Sequence, residues 1–260
     1  KIVRGRIEGT RWTDEETVYA ADPDSCLPTD LHFGCRIAFD PKDPSILFFA
    51  IGERGRGPTA QDLSVPNGKV HRVHDDGRVP NDNPFIGREG ALATIWSYGH
   101  RNPQGLVFGV DGRLWDTEHG PRGGDEVNLI ERGANYGWPL VSFGINYNGA
   151  PFVTPWPSEG QDISMPTYVW MPSIGACGLD VARAGRQGEM FPMWRGDLLA
   201  GGLSGENVDR IRIDASGNVV EREELIHGMG RVRDVSVGPD GSVYVVLNGP
   251  DKIVRLVRAD

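Results

Sequence analysis

The stretch Val235-Ser236-Val237-Gly238-Pro239-Asp240-Gly241-Ser242-Val243-Tyr244-Val245-Val246-Leu247 decides the fold class of this chain. Two runs rich in β-branched residues flank a Pro-Asp-Gly turn, which is typical of two antiparallel strands joined by a tight connection. The same pattern of apolar run, Asp/Gly or Asp/Pro turn and second apolar run recurs in Ile37–Phe39 with Ile46–Ile51 and in Leu106–Phe108 with Leu114–Thr117. A looser fourth copy is Leu179–Val181 with Leu198–Gly201, whose connection is enlarged by residues 182–197. The chain is therefore expected to be built from repeated β-units.

Each unit continues into a further edge-like strand, and the four further strands are predicted at Lys69–Val73, Glu126–Ile130, Asp209–Ile213 and Lys252–Val257. Because several strands recur with a long, irregular period, the pattern favours the blades of a β-propeller. A β-sandwich is the alternative, but its turn signals come every 8–12 residues without a super-period. Helical composition is tolerable only in the short segments Thr13–Ala20 and Arg222–Ile226.

Composition supports an all-β chain and excludes several functions. The 260 residues include 36 glycines and 19 prolines, which suits many short strands joined by turns. The formal net charge of −9 argues against nucleic-acid binding, which needs lysine and arginine to replace phosphate counterions. No apolar run approaches the roughly 18 residues of a membrane span. We expect residues 1–260 to form one partial propeller domain, with four units, the tail of another in Lys1–Gly9, and an open N-terminal side.

Two motifs at the ends of predicted strands carry chemistry. Arg101, Asn102 and Gln104 begin an inner strand, and their planar cation and amides suit a flat anionic ligand, although a structural Asn-Pro turn explains them equally well. After the same unit's second strand, Gly120-Pro121 and the glycines that follow can turn backbone carbonyls beside carboxylates, as a hard cation such as Ca²⁺ requires. An acidic surface loop is the simpler interpretation of this second motif.

A possible general base precedes the first full unit. His32 and Glu53 are expected at the same end of neighbouring strands, where a carboxylate would hold the imidazole tautomer and raise its basicity. In the last unit, period-two alternation places Arg231 and Arg233 on one face. Of the three cysteines, Cys26 and Cys35 could pair, but one such pair would not fix the compartment.

The ordered set of motifs resembles the soluble quinoprotein aldose sugar dehydrogenases of the glucose/sorbosone dehydrogenase family. The resemblance runs through most of the chain and is carried by the motifs His32-Phe33-Gly34, Gly52-Glu53-Arg54-Gly55, Tyr98-Gly99-His100-Arg101-Asn102-Pro103-Gln104-Gly105, Glu118-His119-Gly120-Pro121-Arg122-Gly123-Gly124-Asp125-Glu126, Asn135-Tyr136-Gly137-Trp138-Pro139 and Arg231-Val232-Arg233-Asp234. It implies a six-bladed propeller, of which about four blades are present here, with pyrroloquinoline quinone (PQQ) and Ca²⁺ at the channel mouth. The family's first blade and most of its second have no counterpart before Lys1.

The resemblance also implies roles for individual residues. His32 would be the general base, Glu53 its partner and Arg101 a catalytic cation. The cofactor would be held by Arg101, Asn102, Gln104, Arg231 and Arg233, with Ser204 where the family commonly has a lysine. His119 would face the substrate, the carbonyls of Gly120 and Pro121 would bind Ca²⁺, and a second, structural Ca²⁺ would lie near Glu126 and Tyr136.

The implied reaction removes the anomeric proton of an aldose and passes hydride from C1 to PQQ, giving a lactone. It requires an external electron acceptor, and the family places the protein in the periplasm or outside the cell. A non-catalytic propeller that binds a sugar, a protein or calcium is the alternative, favoured by Ser204 and the missing blades. A hydrolase is third, because the sequence offers no nucleophile–base pair. The preferred sugar and the oligomeric state are not specified by the sequence.

Overall fold

Every predicted hairpin of the four repeats is present in the computed structural model, which describes residues 1–151 and 162–259. The hairpins are antiparallel pairs, and each begins a sheet that is extended in chain order by one or two further strands. The first two four-stranded sheets contain β3 (Gly34–Phe39), β4 (Ile46–Ile51), β5 (Lys69–His74) and β6 (Ile95–Tyr98), then β7 (Pro103–Phe108), β8 (Leu114–Glu118), β9 (Asp125–Ile130) and β10 (Tyr168–Trp170).

The remaining sheets differ in their number of strands. A third four-stranded sheet contains β11 (Ala176–Val181), β12 (Leu198–Gly202), β13 (Asn207–Ile213) and β14 (Val219–His227). A three-stranded sheet contains β15 (Arg231–Val237), β16 (Val243–Asn248) and β17 (Lys252–Leu256). A two-stranded sheet pairs β1 (Ile2–Glu8) with β2 (Arg11–Tyr19). Three short 3₁₀ helices lie at Pro23–Ser25, Gly57–Ala60 and Pro192–Trp194. None of the helices among the described residues has the length and apolar character needed to cross a membrane.

The sheets are arranged as propeller blades. The first strands β3, β7, β11 and β15 contact one another in that order, and Arg36 of β3 also bonds Asp234 of β15. These four inner strands therefore lie around the axis that a propeller forms, which we call the channel. Consecutive sheets bury apolar side chains face to face: Phe48 packs in the same core as Leu114, Trp115 in the same core as Leu198, and Leu199 in the same core as Val243. The all-β, propeller-type prediction is therefore confirmed: the described residues form four such sheets and the two-stranded sheet β1–β2, which do not close into a ring.

Two details of the sequence prediction were wrong. The segments Thr13–Ala20 and Arg222–Ile226, which have tolerable helical composition, lie in β2 and β14 instead. Pairing with β1 and β13 decides their structure, because tertiary context overrides a weak local propensity. The strands β5, β9 and β13 are also not at the edge, since a fourth strand extends each of their sheets.

Candidate functional site

The chemically active side chains meet at the channel end where the inner strands begin. His32 stands two residues before β3, Arg101 two residues before β7, and Glu53 two residues after β4, which pairs with β3. A hydrogen bond from the Gly34 amide to Asn102 Oδ1, 3.1 Å long, joins the first two sheets at this end. The propeller topology thus collects residues that are far apart in sequence.

His32, which is partly buried, pairs with the buried Glu53 through His32 Nδ1 and Glu53 Oε1. Glu53 is only 1% exposed, and its amide donates to the Arg101 carbonyl over 2.9 Å. Its second oxygen, Oε2, is buried without a hydrogen-bond partner among the described residues. Gly52 makes the approach possible, because a Cβ there would lie 2.1 Å from the His32 carbonyl oxygen. The pair has the geometry of an imidazole whose Nδ1 is held by a carboxylate and whose Nε2 remains available.

Arg101 is buried beside this pair, and one of its N–H groups makes no hydrogen bond to a described residue. Its Nη1 donates to the His119 carbonyl over 3.2 Å, and its amide donates to Glu118 Oε2 over 2.7 Å. The guanidinium lies 5.1 Å from the centre of the Trp138 ring, a cation–π distance. Its Nε is buried and has no partner among the described residues. A buried unpaired donor is costly unless a ligand completes it.

The amides Asn102 and Gln104 lie next to Arg101. Asn102 Oδ1 accepts from both the Gly34 amide and Gln104 Nε2, each over 3.1 Å. Gln104 Nε2 also lies 3.4 Å from the Gly34 carbonyl. These bonds fix the two amide planes against the start of β3.

His119 reaches the same place from the end of β8. Its amide donates to the Asn102 carbonyl over 3.3 Å, and its Nε2 is buried without a partner among the described residues. Burial lowers the pKa of His119, and the nearby Arg101 lowers it further, although Asp125 acts in the opposite direction. The imidazole is therefore neutral near pH 7 and can both donate and accept a hydrogen bond.

The loop after His119 presents backbone oxygens. The Gly120 amide donates to Asp125 Oδ1 over 3.0 Å, and the Ala176 amide donates to Asp125 Oδ2 over 2.8 Å. Both oxygens of the Asp125 carboxylate therefore accept hydrogen bonds from backbone amides. A Cβ on Gly120 would lie 2.1 Å from the Gly124 carbonyl oxygen. Within the described part of the chain, the Gly120 and Pro121 carbonyls accept no backbone or side-chain hydrogen bond. Free carbonyl oxygens in a tight loop are ligands that Ca²⁺ accepts.

The basic residues of the last sheet are less tightly joined to the site. Arg231 and Arg233 are both exposed at the start of β15, and neither makes an ion pair with a described carboxylate. The Arg233 carbonyl accepts from Arg36 Nη2 over 3.4 Å, which ties this residue to the channel, whereas no described contact ties Arg231 to it. Ser204 is exposed after β12, and its amide donates to the Ile174 carbonyl over 2.8 Å.

A buried acidic cluster escaped the sequence analysis. Asp116 is 0% exposed, neither of its carboxylate oxygens has a hydrogen-bond partner among the described residues, and Glu118 and Glu126 lie on the same face of the β8–β9 pair. Burial raises the pKa of Asp116 and Glu126, and the Glu118 carboxylate raises both further. Period-two alternation along Asp116-Thr117-Glu118, opposite Glu126-Val127-Asn128, was the signal that could have revealed the cluster.

Tyr136, expected near the structural calcium site, uses its hydroxyl for bonds to the backbone. The Tyr136 hydroxyl donates to the Leu129 carbonyl and accepts from the Glu131 amide over 2.9 Å, so it is not directed at Glu126. The Tyr136 ring stacks on His100 at 4.6 Å, and His100 Nδ1 lies 3.2 Å from Glu118 Oε1. Near Glu126, the Asn128 side-chain amide nitrogen donates to Glu126 Oε2 over 3.4 Å, and Glu118 is paired with Glu126 across β8 and β9. Cys26 and Cys35 are both free thiols, so the considered disulfide is absent.

Comparisons with known proteins agree with this arrangement. The E. coli (strain K12) aldose sugar dehydrogenase YliI is 42% identical over 239 residues, which is 90% of this chain and 61% of that protein. A crystal structure of a glucose dehydrogenase superposes with a TM-score of 0.88 at 36% identity, covering 99% of this chain and 73% of that one. The PQQ-bound form of an aldose sugar dehydrogenase from Streptomyces coelicolor gives a TM-score of 0.72 at 28% identity, covering 97% and 68%.

The family assignment rests on almost the whole sequence. The chain spans about three fifths of the length of curated relatives that it matches, 61% of the E. coli protein and 60% of a Synechocystis protein. The family model described as Glucose / Sorbosone dehydrogenase matches residues 1–257, in agreement with the resemblance carried by the motifs. The chain belongs to the glucose/sorbosone dehydrogenase family.

Proposed function

We propose that this protein is a quinoprotein that oxidises the C1 hydroxyl of aldose sugars to lactones, with PQQ and Ca²⁺ as cofactors. The observation that carries the proposal is a set of buried polar atoms at one end of the channel that have no hydrogen-bond partner among the described residues: Glu53 Oε2, Arg101 Nε and His119 Nε2. Such atoms are costly in an empty protein core and fit a site that is completed by a polar ligand. The PQQ-bound relative supports the choice of cofactor.

The residues present fit that cofactor in charge and in shape. Arg101, Asn102 and Gln104 would hold the flat quinone, while Arg231 and Arg233 would hold its carboxylates, with Ser204 at the mouth. The carbonyls of Gly120 and Pro121 would hold Ca²⁺. When bound, PQQ supplies an electron-accepting quinone that takes up the hydride from the sugar.

Proton transfer would be the task of the partly buried His32–Glu53 pair. His32 would accept the proton of the anomeric hydroxyl as C1 loses its hydride, so that the sugar leaves as a lactone. Glu53 would stabilise the resulting imidazolium, since a neighbouring carboxylate favours the charged ring. Arg101 would offset the negative charge that develops during the oxidation, and neutral His119 would orient the sugar. Release of the electrons requires an external acceptor.

The acidic cluster suits the second, structural Ca²⁺ of the family. Asp116 and Glu118 are buried, and one carboxylate oxygen of each lies with a ring nitrogen of His100 within 4.8 Å of one another, while Glu126 is paired with Glu118 across β8 and β9. We therefore assign the structural ion to this cluster, next to the backbone of Tyr136. Added Ca²⁺ should raise the unfolding temperature of the unsubstituted protein, and Glu126→Gln should reduce that increase; equal increases would contradict the assignment.

The catalytic proposal is tested by reconstitution. The purified chain is incubated with PQQ and CaCl₂, and dye-linked oxidation of aldoses is followed together with lactone formation by mass spectrometry. We expect His32→Asn to bind PQQ but to lose at least about a hundredfold in rate, the range of a general base. The matched control is His227→Asn, because His227 is an exposed histidine of β14. A folded protein without activity and without PQQ binding would overturn the proposal.

A non-catalytic propeller that binds a sugar, a protein or calcium is the second candidate. It is favoured by Ser204, which leaves the exposed turn after β12 without a positive charge. Saturable PQQ binding counts against this candidate, whereas sugar or Ca²⁺ binding without PQQ binding supports it. We further propose a periplasmic or secreted location, which fractionation of the source cells tests.

A further inference from the structure

Each inner strand departs from a regular ladder near the candidate site. The register shifts between four pairs of residues, namely Gly34 and Ile37, Pro103 and Gly105, Ala176 and Leu179, and Val232 and Asp234. Such bulges leave backbone groups outside the ladder and redirect side chains, and they are frequent beside active sites. Gln104 and Arg233, two of the residues proposed to hold the cofactor, are the skipped residues of their strands. Their backbone carbonyls therefore need partners from elsewhere.

One side chain, Arg36, supplies these partners. It lies on β3, inside the first of the four bulges, and its guanidinium crosses to two other sheets. Arg36 Nε donates to the Gln104 carbonyl and Nη2 to the Arg233 carbonyl, 3.4 Å away. Its Nη1 donates to Asp234 Oδ1 over 3.0 Å. One planar group thus joins the bulges of β7 and β15.

We propose that Arg36 is a positioning residue for the cofactor site: it fixes the bulged backbones of Gln104 and Arg233 so that both side chains are aimed into the channel mouth. The inference rests on the proposed function for the identity of the ligand. Arg36 does not act as a further cation for an anionic cofactor, because Asp234 neutralises its charge and its fork is directed at protein acceptors.

The surrounding residues are adapted to this arrangement. Gly178 on β11 lies so close to β15 that a Cβ there would be 2.4 Å from Asp234 Oδ1 and 2.6 Å from its Cα. The Cys177 thiol lies 3.0 Å from the Arg233 carbonyl and assists the Arg36 contact. Lysine could not replace Arg36, since an ammonium lacks the rigid planar fork that reaches three acceptors in fixed directions.

The positioning role is first tested without cofactor. Hydrogen exchange by mass spectrometry compares the unsubstituted chain with Arg36→Lys, and we expect faster exchange in peptides spanning residues 103–108 and 231–237 but not in 219–227. Arg113→Lys is the matched control. The Arg113 side chain is 30% exposed against 28% for Arg36, and it also contacts an aspartate, Asp111, and a backbone carbonyl, that of Asp214. Arg113 lies in the turn between β7 and β8, at the opposite end of these strands from the candidate site. Unchanged exchange in both bulge peptides would overturn the role.

The consequence for the ligand is tested by titration with PQQ in the presence of Ca²⁺. Arg36→Lys should raise the PQQ dissociation constant at least about tenfold, while Arg113→Lys leaves it within twofold. In an Arg233→Met background the effect of Arg36→Lys should shrink, because a positioning residue acts through the group that it positions. An undiminished effect in that background would contradict the positioning role.

The outcomes separate the two proposals. If the unsubstituted chain does not bind PQQ, the proposed function fails, and the exchange experiment alone decides whether Arg36 holds the bulges. If it binds PQQ and Arg36→Lys binds equally well, only the inference about Arg36 is overturned. Should Arg36→Lys fail to fold, Asp234→Asn removes the ion pair alone; it should show a smaller loss in the same measurements, and no loss would overturn the inference.

Discussion

The most direct test of the catalytic proposal is the substitution Glu53→Gln. Glutamine has nearly the same volume and can still accept a hydrogen bond from His32 Nδ1, so the buried site keeps its shape. The substitution removes the negative charge that faces the imidazole, in a position that is only 1% exposed. A hydrogen bond to a charged partner contributes roughly 1.5–3 kcal/mol. If this stabilisation acts only when His32 carries the substrate proton, its loss lowers the turnover number by roughly ten- to 150-fold.

The assay separates the chemical step from binding. The turnover number, KM for the sugar and the dissociation constant for PQQ are measured for both proteins, with saturating Ca²⁺. We expect the turnover number to fall while KM and PQQ affinity change less than threefold, because the missing interaction strengthens only in the transition state.

A control addresses general loss of stability. Asp209→Asn also neutralises a buried carboxylate. Asp209 lies on β13 of the third sheet and accepts hydrogen bonds from Trp170 of the second sheet and from Arg222, and none of its described hydrogen bonds involves a residue proposed for the site. We expect it to lower the unfolding temperature without lowering the turnover number of the folded protein. A Glu53→Gln protein with the unsubstituted turnover number would refute the reasoning about the His32–Glu53 pair.

Three further predictions concern stability and cofactor affinity. Burial lowers the pKa of Lys69 to about 7, whereas its usual pKa is near 10.4. Between these two pH values the unfolded chain holds a proton that the folded chain has released. The free energy of unfolding should therefore rise with pH in that window. Lys69→Met should abolish that part of the rise in urea unfolding, and an identical pH dependence in the two proteins would contradict it. Gly105→Ala should lower the free energy of unfolding by roughly 1–3 kcal/mol, because its Cβ would lie 2.3 Å from Leu179 Cβ. An unfolding temperature equal to that of the unsubstituted chain would disprove the predicted clash. Ser204→Lys should tighten PQQ binding roughly tenfold or more by adding a charge-assisted contact, whereas the control Ser216→Lys, in an exposed turn after β13, should leave it unchanged.

Much of the fold was predictable because its signals are local. The alternation and Pro-Asp-Gly turn of Val235–Leu247 specify a hairpin, and the turn chemistry requires no distant partner. The same held for the hairpins β3–β4 and β7–β8, whereas β11 and β12 are joined by the longer connection 182–197. The local signal failed in Thr13–Ala20 and Arg222–Ile226, because residues of modest propensity follow the strand that pairs with them. It also failed at the outer strand Tyr168–Trp170, whose three residues are too short for periodicity to indicate a strand.

The sequence by itself determined the all-β class, the repeat of hairpins and, through its ordered motifs, the family and the residues to inspect. Only the tertiary structure decided which of those residues meet. The His32–Glu53 pair, the unpartnered Arg101 Nε and the Asp116 cluster depend on strands from different parts of the chain lying side by side. The role of Arg36 depends on register shifts in three strands, which no periodicity reveals. The physical reason is that turns and alternation are set by neighbouring residues, whereas burial, unsatisfied hydrogen bonds and charge pairing are set by residues that only the packing of the sheets brings into contact.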